Sequence, residues 1–371
     1  MSYFDHCATT PIHPIVIDKM ESTSKTHFGN PSSLHTSGRK AKSLIESSRR
    51  IIANALKAST NEIIFTGSGT EANNSVLWSL IHEENKHVIT SSIEHPAILK
   101  VLDSIAPFGI SYTKLPVNKF GEVNPKNLEE SIEKDTGLIS IMMVNNEVGT
   151  INPIKDLIKI AEEKNIPFHS DAVQALGKIP LSVKDIQADY LSFSGHKFYG
   201  PKGVGFLYKK NGSKLNPLII GGGQEGQFRA GTENISGIVG LAEAVRLAIE
   251  NLDNRILHLE ELESEFKAKL LSLSSNVIFN GHPDKHAPGV ISASFLGKRS
   301  DILLVELDRE KIEVSSGSAC GSGSVKPSFV LEEMGLSENQ NTSTIRISFG
   351  RSNSLEDVNT LVKALVKFTN V

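Results

Sequence analysis

Short continuous apolar runs, each closed by polar or glycine-rich residues, recur along the first part of the chain. Glu62–Thr66, His87–Ser92, Ile110–Pro116, Leu138–Val144, Ile166–Ser170 and Ala188–Phe193 read as strands, and the segments between them carry helical spacing. Runs that lack polar alternation belong to strands buried on both faces. The pattern therefore predicts an α/β fold with a mainly parallel sheet covered by helices. Before the first strand, Ile15–His27 and Lys40–Leu56 read as helices, joined by the Gly/Asn/Pro/Ser-rich FGNPSSLHTSG. After Tyr208 comes a glycine-rich loop, PLIIGGGQEGQFRAGTEN, and then a mostly helical stretch, Ile235–Leu273, whose charged part reads as a solvated face. We place a domain change near Asp253. Beyond it, Gly289–Phe295, Ile312–Ser315 and Thr344–Ser348 read as strands alternating with helices, a smaller α+β unit. The expected division is a large domain over 15–253 and a small one from 1–14 and 254–371.

The polar clusters fall just after the strands: Gly69 and Thr70, His95, Asn146, Asp171 and Gln174, then Ser194, His196 and Lys197. Open α/β sheets bind ligands at the carboxyl ends of their strands, so these clusters are expected to share one pocket. Taken singly each has a bland alternative. Gly67–Gly69 before a helix can cradle an anion on free N–H groups, but it lacks the spacing of a dinucleotide site or the Lys-Ser/Thr ending of a P-loop. An Asp after a strand is commonly a helix cap. Lys197, in LSFSGHKFYGPKGVGFLY, is either a solvated turn lysine or a rigid, desolvated amine of the kind that forms Schiff bases.

Composition narrows the classes. A net charge of −3 over 371 residues argues against direct nucleic-acid binding through bulk charge. No run is long enough to span a membrane, and the N-terminal MSYFDHCATTP is not a signal peptide. Two cysteines make no disulfide framework, and no His/Cys cluster has metal-ligand spacing, so a reducing cytoplasmic setting without a metal is expected. Cys7 reads as a small buried residue in a turn. Cys320 sits at the centre of the Ser/Gly-rich SSGSACGSGSVKPS (315–328), which reads as a mobile loop, and a thiol there reads as reactive.

Taken together, the strand-end residues read as a pyridoxal 5'-phosphate site. In that reading Lys197 would form the Schiff base, Asp171 would pair with the ring nitrogen, and Gln174, one helical turn on, could bond the phenolic oxygen. His95 could stack on the ring, Asn146 could bond its substituents, and Gly69, Thr70, Ser194 and His196 could bind the phosphate; their joint occurrence, not any one of them, carries the reading.

The motifs FTGSGTEANN, EHPA, VNNEVGT, DAVQALGK, SFSGHKFYGPKG, GGGQEGQFRAGT and SSGSACGSGSVKPS, in that order from Tyr3 to about Arg351, resemble those of NifS/IscS-like cysteine desulfurases. These are class-V aminotransferases of the fold-type I pyridoxal phosphate group, with a seven-stranded-type sheet. The SSGSAC loop is the specific part. The resemblance implies a sulfurtransferase that converts L-cysteine to L-alanine and leaves the sulfur as a persulfide on Cys320. Lys197 and His95 then handle protons, Arg346 clamps the substrate carboxylate, and Asn30 lines the same pocket. Thr232 reaches the phosphate of a partner subunit, which implies a homodimer with shared sites. The acceptor is an iron–sulfur scaffold or a tRNA-thiolation enzyme. Two departures stand out: His6-Cys7 replace the usual small or polar residues, with Cys7 expected not to be catalytic, and the chain stops at Val371, short of the docking segment typical of scaffold-feeding members. The competing readings are a transaminase, which needs no loop thiol, a selenocysteine lyase, which would ignore cysteine, and a non-catalytic relay or scaffold subunit, against which the joint presence of Lys197, Asp171, His95 and Cys320 speaks.

Overall fold

The computed structural model describes residues 2–274, 276–317 and 327–369. Strands β1 (Ser2–Tyr3), β2 (Ile63–Thr66), β3 (His87–Ser91), β4 (Ser111–Leu115), β5 (Thr136–Ser140), β6 (Phe168–Asp171), β7 (Tyr190–Ser194) and β8 (Gly205–Lys209) occupy the first part of the chain. β9 (Val277–Asn280), β10 (Val290–Phe295), β11 (Ile312–Glu313) and β12 (Thr344–Ser348) follow. Among the described residues the central sheet has seven strands in the order β2-β8-β7-β6-β5-β3-β4. All neighbours are parallel except β8, which runs antiparallel to both β2 and β7. β2, β3, β7 and β8 are buried throughout, as expected of strands covered on both faces.

Two apolar cores result. One surrounds the central sheet, with Phe65, Ile89, Ile139, Phe168, Phe193 and Phe206, and draws in the helices Pro14–Thr26, Thr36–Leu56 and Ile235–Glu250. The other gathers Phe4, Leu259, Phe266, Phe295, Leu303, Ile345 and Leu361 around the antiparallel β9-β10-β12 sheet. The long helical stretch is two helices, Ile235–Glu250 and Leu252–Leu273, broken at Asn251. β1 pairs with β11, so the first residues belong with the second core.

One strand is shorter than its apolar run. The run Leu138–Val144 predicts a strand to Val144, but β5 ends at Ser140. On one side the backbone bonding to β6 continues, from Ile141 N to His169 O at 3.1 Å and from Met143 N to Asp171 O at 3.0 Å. On the other side the N–H of Met142 is taken at 2.8 Å by the Glu94 carboxylate instead of by β3. A side chain thereby ends the ladder at the carboxyl edge of the sheet, where the polar clusters gather.

Candidate functional site

The residues after β2, β3, β5, β6 and β7 surround a cavity of about 430 Å³. Gly69, Thr70, His95, Asn146, Asp171, Gln174, Ser194, His196, Lys197 and Arg346 all line it. Two larger clefts, of about 630 and 710 Å³, contain none of them. The chemistry, not the volume, singles out the smaller one.

Each wall follows from local sequence. Ser68 caps the helix Gly69–Ser79 by accepting from Glu71 N at 3.1 Å, so the first-turn N–H groups face the cavity. Gly69 is required there: a Cβ would come within 2.6 Å of Val173 Cγ2 and 3.2 Å of Ser194 Cβ. His95 caps the helix Pro96–Ile105, its Nδ1 accepting from Ala97 N at 3.1 Å. It leaves an accessible edge toward the cavity mouth, while the protein packed around it lowers its pKa against the opposing pull of Asp171. Asp171, at the end of β6, accepts from Asn73 Nδ2 at 2.6 Å and from Val173 N at 3.0 Å. Gln174 lies in a run of turns rather than on a helix, because the chain bends again at Gly177, whose φ is 77°.

Lys197 closes the short 3₁₀ turn after β7. Its Nζ donates to the backbone carbonyls of Cys7 at 2.7 Å and Ala8 at 2.9 Å. Burial, with Lys178 adding to it, pushes its pKa down to about 8. Burial also holds His196 down at about 4, so its imidazole is neutral beside the lysine. Arg346 is buried on β12, with Nη2 on Asp5 Oδ1 at 2.7 Å and Nη1 on Asn146 O at 3.0 Å. Its Nε is buried without a hydrogen-bond partner among the described residues.

These walls can hold an anion at a helix N-terminus, a flat group between His95 and Asp171, and a carboxylate near a buried guanidinium. The class-V aminotransferase family model matches residues 2–361. The chain is 44% identical over 360 residues to the cysteine desulfurase IscS of Dictyoglomus turgidum, an alignment covering 96% of this chain and 91% of that one. This chain belongs to the class-V aminotransferases, in their NifS/IscS-like cysteine desulfurase branch. Solved desulfurase-like structures agree. A NifS-like protein superposes with a TM-score of 0.93 at 36% identity, covering 100% of this chain and 98% of that one. SspA in complex with cysteine superposes with 0.82 at 36%, covering 94% and 99%.

Against this desulfurase frame, two residues proposed from sequence are not among the cavity walls, and a third lies outside the described residues. Asn30 is exposed, and its Oδ1 accepts from Ser32 N at 2.9 Å within its own loop. Thr232 is exposed on the long loop after β8. Cys320 lies outside the described residues. Asn73, Glu147 and Cys7 also line the cavity, and of these only Cys7 was weighed from sequence, as a buried turn residue. Asn73 orients Asp171 and follows the glycine turn by one helical turn, a spacing visible in FTGSGTEANN. Glu147, in VNNEVGT, is buried and accepts from Ser328 Oγ at 2.5 Å, and its Oε2 lies 2.1 Å from where a Cβ on Gly317 would sit. Burial raises the Glu147 carboxyl, opposed by Ser328 and Arg346. Cys7 also lines the cavity, 1% exposed, a placement that rests on contacts far apart in sequence. Glu94, the residue before His95, is fully buried with Oε1 on Ser91 Oγ at 2.6 Å, and burial raises its pKa to about 8. Among the described residues no group of acidic, His and Cys side chains has the arrangement of a metal site, and no helix is long and apolar enough to cross a membrane.

Proposed function

We propose that the protein is a pyridoxal-phosphate-dependent cysteine desulfurase, converting L-cysteine to L-alanine and passing the sulfur through Cys320 to an acceptor. The observation that carries this reading is the meeting of residues from five strand ends around Lys197 in one cavity. Those residues fit the cofactor. A lysine with its pKa near 8 is readily made nucleophilic. The first turn at Gly69 has room for an anion only because it lacks a Cβ. Asp171 is held by Asn73 in position for a protonated ring nitrogen.

When bound, pyridoxal phosphate supplies an aldehyde for the lysine and a ring that withdraws electrons from the substrate's Cα. The chain does the rest. Gly69, Thr70, Ser194 and His196 hold the phosphate. Asp171 would pair with the ring nitrogen and Gln174 with the phenolic oxygen, Asn146 would bond the ring substituents, and His95 would stack on the ring. Arg346 receives the substrate carboxylate. Lys197 and His95 move the proton at Cα. The Cys320 thiolate attacks the substrate sulfur: the Sγ–S bond forms, the Cβ–S bond breaks, and Cβ takes up a proton to give alanine. The presence of cysteine in the SspA complex supports this substrate class.

In the same reading the chain has a large domain over 15–253 and a small domain from 1–14 and 254–371 with the loop 315–328, supported by the two apolar cores. It works as a homodimer in which Thr232 completes the partner's phosphate site and Asn30 the partner-facing pocket wall. Phe28 (82% exposed) and Leu34 (88%) flank Asn30, and Ile220 (85%) shares the loop of Thr232, so both loops present apolar side chains to be covered. The protein acts in the cytoplasm, and its acceptor is an iron–sulfur scaffold or a tRNA-thiolation enzyme.

The test is alanine and sulfide release from L-cysteine with a thiol reductant, for wild type and Cys320→Ser. Equal amounts of both products, lost together in the variant, are expected. Unchanged turnover in Cys320→Ser would sink the persulfide route and leave a lyase or transaminase.

A further inference from the structure

Beside Lys197 lies a second lysine that the mechanism above does not use. Lys178, the last residue of DAVQALGK, is half-buried. Its Nζ donates to Gln174 Oε1 and lies 3.6 Å from Cys7 Sγ. Gln174 Nε2 in turn donates to Cys7 O at 2.9 Å, and Lys197 Nζ donates to the same carbonyl at 2.7 Å. Cys7 is thus the node of a small network. Its carbonyl receives one cavity lysine and the Gln174 amide, and its thiol faces the other lysine. An ammonium tethered at two points cannot swing away into solvent, so its charge acts steadily on its surroundings.

We propose that Lys178 is a positioning residue whose ammonium, held by Gln174 and Cys7, sets how readily Lys197 sheds its proton before it reacts. The inference rests on Lys197 being the reactive lysine of the proposed desulfurase. The charged and titratable groups around Lys197 are Lys178, Cys7, Arg346, Asp171, His95 and His196. After burial, Lys178 is the largest influence favouring the neutral amine, and Arg346 acts the same way, while Cys7 and Asp171 favour the ammonium. Burial by itself raises the Cys7 thiol, while Lys178, Arg346, Lys197 and the Ser348 hydroxyl lower it and prevail, so the thiol opposes Lys178 in its pull on Lys197. The two groups pull Lys197 in opposite directions, and they must be removed in order to be told apart.

The experiment compares wild type, Cys7→Ala, Cys7→Ala/Lys178→Met and Cys7→Ala/Lys178→Arg. In full-length protein stripped of cofactor, the rate of trinitrobenzenesulfonate attack on Lys197 is followed against pH by peptide mass spectrometry. Cys7→Ala removes the thiol, which favours the Lys197 ammonium, and is expected to lower the midpoint. Adding Lys178→Met removes the competing cation and is expected to raise it by about one pH unit. Arg at 178 restores a cation and is expected to return the midpoint to that of Cys7→Ala. The same ordering is expected for the pH midpoint of the cofactor absorbance in loaded protein. Equal midpoints for Cys7→Ala and Cys7→Ala/Lys178→Met would overturn the proposal. If the Met variant does not fold, Cys7→Ala/Lys178→Gln takes its place, and a midpoint equal to that of Cys7→Ala overturns the proposal. The labelling needs no cysteine turnover, so loss of desulfurase activity with these shifts intact would remove the functional reading alone.

Discussion

The Glu225 carboxylate ties the loop that carries Thr232 to the central sheet, and it can be loosened by a single atom. It accepts from Arg49 Nη1 and Nη2, both at 2.7 Å, and from Phe65 N in β2 at 2.8 Å. The side chains of Arg49 and Glu225 are 10% and 2% exposed, so the pair is shielded from water and salt. Glu225 also sits at φ 47°, in the left-handed region, a conformation held by this anchoring. Glu225→Gln keeps the shape, removes the negative charge and leaves a buried guanidinium with Glu46 as its one charged partner, half exposed and 3.4 Å from Arg49 Nε, while Nη1 keeps the Ile63 carbonyl at 2.7 Å. Removing one partner of a buried pair costs about 3–5 kcal/mol. The residual help from Glu46 puts the expected loss near the low end, about 3 kcal/mol. With a urea slope of roughly 3 kcal/mol/M for a chain of this size, the unfolding midpoint should fall by about 1 M. The loop should also be cleaved faster by protease between Pro217 and Asn234. Arg49→Met/Glu225→Gln removes the stranded charge and should lose less than the sum of the single variants, by about 2 kcal/mol. A midpoint within about 0.3 M of wild type for Glu225→Gln would refute the idea that this pair holds the loop.

Two further outcomes follow, one from a cavity wall and one from the buried carboxyl next to His95. Gly69→Ala places a methyl 2.6 Å from Val173 Cγ2 at the helix N-terminus, so cofactor retained after dialysis should fall by about tenfold with the fold intact by circular dichroism; full retention would remove the phosphate from that turn. Glu94 has its pKa raised by burial from about 4.5 to about 8, so the folded chain holds a proton there that the unfolded chain releases. Its contribution to stability is therefore fully present below about 4.5, falls as pH rises and is gone above about 8. Glu94→Gln should flatten that decline in a series of urea midpoints, and an unchanged slope would mean the carboxyl is not held neutral.

Most of the cavity was legible because its residues follow strands directly, where short-range pattern and sheet geometry coincide: Asp171 and Lys197 each lie within a few residues of an apolar run. What the sequence hid depends on distant contacts. Cys7 read as a small buried turn residue, and it is buried in a turn, but its carbonyl bonds to Lys197 from 190 positions away. Lys178 carried no signal beyond its place in DAVQALGK, because its role comes from the fold of the first residues over the last turn of that motif. The length of β5 was overread because periodicity counts apolar side chains and cannot show that Glu94 takes the Met142 N–H. Asn30 and Thr232 sit on loops whose local sequence gives only a turn and a glycine cluster. Their exposed neighbours Phe28, Leu34 and Ile220 are the physical hint that those loops face another surface.

The strap formed by residues 2–10 has a consequence for how the molecule comes into being on the ribosome. β1 pairs with β11, Cys7 N donates to Ser348 Oγ across 341 positions, and Thr10 N donates to the carbonyl of His196. This strap thus finds its partners in segments made well after it, at His196 and, further on, in β11 and β12. The strands of the central sheet can assemble while synthesis continues, but the floor beneath Lys197 cannot close until β12 has emerged, and closing so long a loop is slow. The two carbonyls that receive Lys197 Nζ, those of Cys7 and Ala8, are therefore held by a strap whose own anchors at β11 and β12 are made long after it.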